Sequence, residues 1–272
     1  MNPQSKTRPR NVAIVLLLAA VLVVGCAPQA TVEPTPTPAS TSTPTPIPPT
    51  PQPQVTVEEI TFSAEGDVEL VGYLYRNSAA DTAVVMAHQG TATQKSWQDF
   101  AAESAARGYT ALTFDFRGFG VSFADSSAGS GDRTNVMDLR GAIAFLREQG
   151  YERVVCLGAC MGGTACVTVA LDEEFVGLGI VAASVPGRVG GKRYPNDLVN
   201  PDMPKLFTVT EDDIFPQTIV GTSLMYERAP EPRTGKLFPG TVHGTELFNT
   251  QHADQFQALL LNFLRDADQY AR

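Results

Sequence analysis

Gly158-Ala159-Cys160-Met161-Gly162-Gly163 follows directly on the apolar run Arg153 to Leu157 and opens into a helix-forming stretch, Met161 to Leu171. A Gly-x-nucleophile-x-Gly turn between strand and helix has a specific physics. The central residue sits in a tight, strained turn, so the residues two away on either side must be nearly free of side chain. Its own side chain then projects above the sheet at a helix N-terminus, where the helix dipole favours a thiolate. The N–H of Met161 is left free to bind a developing oxyanion. Cys160 is therefore the candidate nucleophile. The competing reading is a small buried residue in a glycine-rich turn, and placement after a buried strand favours the nucleophile.

Such a turn needs a scaffold, and the surrounding sequence alternates strand and helix. Val55 to Phe62 and Val68 to Tyr75 are β-rich and flank Glu65-Gly66-Asp67, the pattern of an antiparallel hairpin. Ala83 to His88 is continuously apolar, as in a strand buried on both faces. Strand patterns recur at Tyr109 to Phe116, Arg153 to Leu157, Val176 to Ala183, Leu206 to Thr210 and Lys236 to Phe238. Helical spacing of apolar residues runs through Trp97 to Arg107, Val136 to Gln149, Gln217 to Arg228 and Asp254 to Asp268. A hairpin followed by this alternation predicts an α/β fold, a mostly parallel central sheet with helices on both faces.

With these elements around Gly158-Ala159-Cys160-Met161-Gly162, residues 55–272 resemble the α/β-hydrolase family. The resemblance implies a nucleophile, an acid and a histidine in that chain order. Pro204 to Asp213 looks like the family's acid-bearing strand and turn, which places the acid on Asp213, with Asp212 as second choice. A solvated turn or a helix N-cap is the alternative for these acids. His243, in Gly240-Thr241-Val242-His243-Gly244-Thr245, lies where the family carries its base; His252 sits in a polar run and reads as a surface residue. Its role would be to draw the thiol proton and return it to the leaving group, with Asp213 fixing its tautomer. His88-Gln89-Gly90 resembles the family's oxyanion loop, with the Gly90 N–H joining that of Met161 and Gln89 as second choice for that donor. His88 reads as structural. Asp115 to Ser122 matches a further turn of the family, in which Asp115 and Arg117 serve as scaffold and Ser122 is not the nucleophile.

Most members of the family carry Ser at this turn; Cys occurs there in dienelactone hydrolases, which the chain resembles in triad type. A thiolate is a better leaving group than an alkoxide, so adducts with poor-leaving-group substrates collapse backwards. The expected substrate is a small-molecule ester, lactone or thioester, opened through an acyl-enzyme. An acyltransferase, or a non-catalytic binding lipoprotein on the same scaffold, are the alternatives. No cofactor is required, and no spacing suggests a metal. Pro186 to Met203, with Arg188, Lys192 and Arg193, is a loop beside the site and too short for a large lid domain. Cys156 lies roughly 13 Å back along the strand from Cys160 and Cys166 about 9 Å up the helix. Both exceed the roughly 7 Å Cα separation a disulfide allows. Cys160 is expected free; Cys156 and Cys166 could face each other across the strand–helix interface, and a buried reduced pair is expected there.

The first residues carry an address. Lys6, Arg8 and Arg10 precede an apolar run from Val12 to Val24, shorter than the roughly 20 residues that span a bilayer. The run ends at Gly25-Cys26 and resembles the bacterial lipoprotein signal, which implies removal of 1–25 and acylation of Cys26. Ten of the 20 prolines then fall between Ala27 and Gln54, among Thr, Ser, Ala and Gln. Such a stretch has too little to bury to offset its ordering entropy and is expected to be an extended linker, 26–54. The domains are thus a signal at 1–25, a linker at 26–54 and a hydrolase-like domain at 55–272, exported and held on a bacterial membrane through Cys26. Loss of the three cations of 1–25 takes the net charge from -9 to -12, which argues against a nucleic-acid partner. A monomer is expected.

Overall fold

The computed structural model describes residues 54–122, 131–186 and 202–270. The proposed signal, Cys26, nearly all of the linker and residues 187–201 of the loop beside the site lie outside the described residues. The chain divides into two units, and the described residues fall in the second, Thr50–Arg272.

Among the described residues, eight strands form one sheet in the order β1-β2-β4-β3-β5-β6-β7-β8. The strands β1 (Val55–Ala64) and β2 (Val68–Asn77) make the expected hairpin, with Ala64 paired to Val68. Asp67 and Gly66, both at positive φ, turn the chain between them. β2 pairs antiparallel with β4 (Thr110–Phe114). From there β3 (Thr82–Ala87), β5 (Arg153–Ala159), β6 (Gly177–Val181), β7 (Lys205–Thr210) and β8 (Arg233–Phe238) run parallel.

Among the described residues, five helices cover the two faces, and the side-chain period of the strands decides which face each meets. Val154 and Cys156 of β5 join a core with Leu139, Ile143 and Leu146 of α2 (Asp132–Glu148), Cys166 of α3 (Met161–Val169) and Met225 of α4 (Pro216–Arg228). Val155 and Leu157 point the other way. They meet Trp97 and Phe100 of α1 (Lys95–Ala106), and Phe256, Leu260 and Phe263 of α5 (Ala253–Tyr270).

The strand order fixes where a site can form. From β3 the chain crosses outward to β4 and then returns to β5 on the other side of β3. The carboxyl ends of β3 and β5 therefore flank a topological switch point, where a crevice opens in α/β sheets. The loop at His88-Gln89-Gly90 leaves β3 there, and Cys160 leaves β5.

Three details differ from the expectations. β8 begins at Arg233, three residues earlier than its apolar residues indicate, because it is an edge strand whose exposed Arg-Thr-Gly-Lys segment is held by backbone pairing to β7. A 3-10 helix, Gly244–Asn249, follows His243 directly. Cys156 and Cys166 are not a reduced pair: they form a disulfide with Cα atoms 5.9 Å apart, because α3 packs back along β5.

Candidate active site

The turn from β5 into α3 is as tight as its glycines require. Cys160 adopts φ 50° and ψ -115°, a conformation that costs a non-glycine residue roughly 1–3 kcal/mol. Four observations show what holds it there. Its N–H donates to the Val181 carbonyl of β6 at 2.9 Å, and its carbonyl accepts the Thr164 N–H at 2.9 Å. A Cβ on Gly158 would lie 2.4 Å from the Gly162 carbonyl, and one on Gly162 would lie 2.4 Å from the Ala87 carbonyl. The end of β3 thus presses directly on the first turn of α3. The thiol of Cys160 is free and partly exposed.

His243 and Asp213 are brought together. The imidazole Nδ1 lies 2.9 Å from both carboxylate oxygens of Asp213, and both side chains are buried. Asp213 Oδ1 also accepts the Phe215 N–H at 2.9 Å, and the Phe215 ring meets the imidazole edge-on at 4.7 Å. Asp212, the second choice, is exposed and engages only through its backbone, donating to the Gly240 carbonyl at 3.0 Å.

The two loops meet because the β7–β8 pairing continues past the strands. Glu211 N–H donates to the Phe238 carbonyl, Ile214 N–H to the Thr241 carbonyl, and Thr210 Oγ1 to the Val242 carbonyl. Beyond His243, the 3-10 helix buries Leu247 and sets Phe248 against Trp97, Phe100 and Phe256. The loop bearing His243 is therefore anchored on both sides of the histidine.

Cys160 interacts with the same ring. Burial disfavours the His243 imidazolium, but interaction with Cys160 and Asp213 outweighs it and holds the imidazole pKa above its ordinary value. With Nδ1 occupied by Asp213, Nε2 is the nitrogen open to the thiol; it is buried and has no hydrogen-bond partner.

His88 stands apart from this pair. Its Nδ1 lies 2.8 Å from the Gln89 carbonyl and its Nε2 accepts the Phe116 N–H at 3.1 Å, which fixes a neutral ring protonated at Nδ1. Burial holds its pKa below the ordinary histidine value. Gly90 is exposed beside Met161: a Cβ on Gly90 would stand 3.5 Å from the Met161 sulfur. Asp115 accepts the backbone N–H groups of Gln94 and Val121, Arg117 pairs with buried Asp138, and the Ser122 hydroxyl accepts the Val71 N–H. His252 is half-buried against Phe238. Among the described residues, no group of three or more His, Cys, Asp or Glu is placed to hold a metal ion.

The sequence reading missed Phe215, the 3-10 helix and the side chain of Gln89, which reaches the His243 loop. Leu247-Phe248, an apolar pair inside an otherwise polar loop, was the available signal for the helix.

Solved structures with this fold include a CIB-like hydrolase from Thermoplasma acidophilum, 17% identical, covering 78% of this chain and 100% of its own, with a TM-score of 0.61. An esterase from Pyrococcus furiosus is 15% identical over 77% of this chain and 92% of its own, at 0.59. A Klebsiella pneumoniae protein assigned by name to the dienelactone hydrolases is 15% identical over 80% and 100%, at 0.61. No curated protein sequence matches the chain. The sequence model of the Alpha/beta hydrolase family matches residues 84–271, from the middle of β3 to the end of α5, and so includes the turn at Cys160 and both loops that meet at His243. The chain belongs to the Alpha/beta hydrolase family.

Proposed function

We propose that this protein is a membrane-anchored extracytoplasmic hydrolase that cleaves a small carboxylic ester, lactone or thioester through Cys160, His243 and Asp213. The observation that carries the reading is the buried His243 ring, held at Nδ1 by Asp213 and open at Nε2 towards the thiol on the strained turn.

His243 Nε2 takes the thiol proton as the sulfur bonds to the substrate carbonyl carbon, and the carbonyl π pair moves onto oxygen. The first N–H groups of a helix have no intrahelical acceptor, so the Met161 N–H at the start of α3 meets that oxyanion. The Gly90 N–H is the second donor, with Gln89 N–H the alternative. Collapse breaks the bond to the leaving group, which departs with the proton from His243. Water then repeats the sequence on the thioester: His243 takes its proton, hydroxide adds, and the carboxylic acid and thiol are released. Asp213 stabilises the imidazolium and holds the productive tautomer.

The Cys156–Cys166 disulfide supports the extracytoplasmic part of the reading, since structural disulfides persist in oxidising compartments. Incubation with an activated aryl ester, followed by intact-mass measurement, tests the whole. The expected result is an acyl adduct on Cys160 that turns over. It is absent from Cys160→Ala and does not turn over in His243→Ala. A wild-type protein that shows no adduct at any time and releases product no faster than Cys160→Ala overturns the reading.

A further inference from the structure

We propose that Gln89 is a positioning residue whose side-chain amide sets the placement of His243 relative to Cys160; the inference rests on the triad reading above. Gln89 follows β3 and is 1% exposed. Its Oε1 accepts the Thr245 N–H at 2.8 Å and the Thr245 hydroxyl at 3.1 Å. Its Nε2 donates to Thr91 Oγ1 at 2.9 Å and to the His243 carbonyl at 3.3 Å. A primary amide has two acceptor sites and two N–H groups, and all of them are used here. A flipped amide would turn its NH2 towards the Thr245 N–H, so one orientation is fixed.

The backbone of the His243 loop is shaped around this amide. Gly244 lies at φ 58°, and a Cβ there would fall 2.0 Å from Gln89 Oε1. The peptide on the C-terminal side of the histidine wraps the amide oxygen and leaves room for nothing larger than glycine. Gln89 is itself held from behind, since its carbonyl accepts from His88 Nδ1 and His88 Nε2 accepts from Phe116.

Sheet topology explains why a tie is needed. β8 stands four strand positions from β3, with β5, β6 and β7 between. At about 4.8 Å per strand that is roughly 19 Å. The chain leaving β8 must arch back over the sheet to bring His243 to Cys160. Asp213 holds the ring and the Phe248 cluster holds the following helix. Gln89 bonds the backbone of His243 and Thr245 to the β3 side of the switch point. The loop that carries the base and the loop that carries Gly90 are thereby locked together through one side chain.

The test compares wild type, Gln89→Met, Gln89→Glu and His243→Ala. Two readouts are used: the pH dependence of Cys160 alkylation by iodoacetamide, followed by intact mass, and kcat and KM on an activated aryl ester. Gln89→Met keeps the length and removes every hydrogen bond. The expected result is a kcat lower by about 10- to 100-fold, with KM changed less than about threefold. The histidine-dependent step of the alkylation profile is displaced, while the protein still melts cooperatively. A wild-type kcat and alkylation profile overturns the proposal, as does a loss strictly proportional to the unfolded fraction. Gln89→Glu covers the case in which Gln89→Met does not fold. Its protonated carboxyl accepts from Thr245 and donates to the His243 carbonyl; its carboxylate only accepts. Its kcat relative to wild type therefore rises as pH falls, and a flat ratio overturns the proposal. If His243→Ala leaves the alkylation step in place, the triad reading fails and takes this inference with it. If His243→Ala removes the step and both Gln89 variants preserve it, only the inference fails.

Discussion

At His243 burial and charge act in opposite directions, and charge prevails. Burial alone would make the imidazole a weaker base, but Cys160 and Asp213 raise its pKa above 6.5. An imidazolium facing a thiol has no lone pair to take its proton, so kcat/KM on an activated ester is expected to fall at low pH in an acid limb set by the Cys160–His243 pair. Asp213→Asn removes one of the two groups that hold the pKa up and frees the tautomer. The limb moves to lower pH and kcat falls on the order of 10³- to 10⁴-fold. Asp212→Asn, altering an exposed side chain one residue away, leaves both limb and rate essentially unchanged. Equal effects of the two substitutions would contradict the assignment of the acid. The sequence placed the acid on Asp213 with Asp212 as second choice, and the loop path separates them. Hydrogen bonds from 211–214 to 238–241 turn Asp213 inward and leave Asp212 in solvent.

The strand–turn–helix element at Cys160 is closed by a covalent bond, because Cys156 and Cys166 lie on its two arms. Fixing a loop this short contributes on the order of 2–3 kcal/mol by restricting the unfolded chain. The double variant Cys156→Ala, Cys166→Ala is expected to unfold with roughly that loss of stability in urea, and reduction of the wild type to approach the same value. Non-reduced wild type that has been denatured is expected to take up alkylating agent at Cys160 alone among the three domain cysteines. Labelling of all three would remove the disulfide from the account. Its formation was not legible from spacing. The distances along β5 and α3 exclude Cys160 from any bridge, but they treat each arm separately. The depth at which the helix packs back on its strand brings Cys156 and Cys166 within 5.9 Å. The buried strands were legible because Val84 to Ala87 and Val154 to Leu157 are continuously apolar, a pattern that survives any tertiary context. β8 and the 3-10 helix were less so, because backbone pairing and the contacts of one aromatic residue hold them. Gln89 marks the same boundary within the site: its type is visible in the sequence, but three of its four hydrogen bonds reach the His243 loop, more than 150 residues away.

On the scale of the whole molecule, three features bear on one another: the basic and apolar N-terminal residues ending at Gly25-Cys26, the proline-rich stretch, and a disulfide-bonded domain. In the proposed account the acylated Cys26 enters a bilayer and each buried CH₂ contributes about 0.8 kcal/mol, so several chains anchor the protein firmly. Residues 27–54 in polyproline II conformation would then reach on the order of 80 Å. In that account the domain would stay off the surface, where the net charge of -12 on residues 26–272 would hold it away from anionic headgroups. A site fed by diffusing small esters is compatible with such a tether; a site acting on the bilayer lipids themselves would not be served by distance from them. The account makes a specific demand on one atom, the Cys26 sulfur. Expressed in a bacterium with a labelled fatty acid, the full chain is expected to incorporate label and to partition into the detergent phase. Its mass is expected to correspond to residues 26–272 plus acyl groups. Cys26→Ala is expected to lose the label and the added mass. Ester hydrolysis per domain stays unchanged, because nothing in the proposed chemistry involves residues 1–54. Label retained in Cys26→Ala, or a wild-type mass equal to that of the unmodified chain, would leave the domain without its proposed anchor.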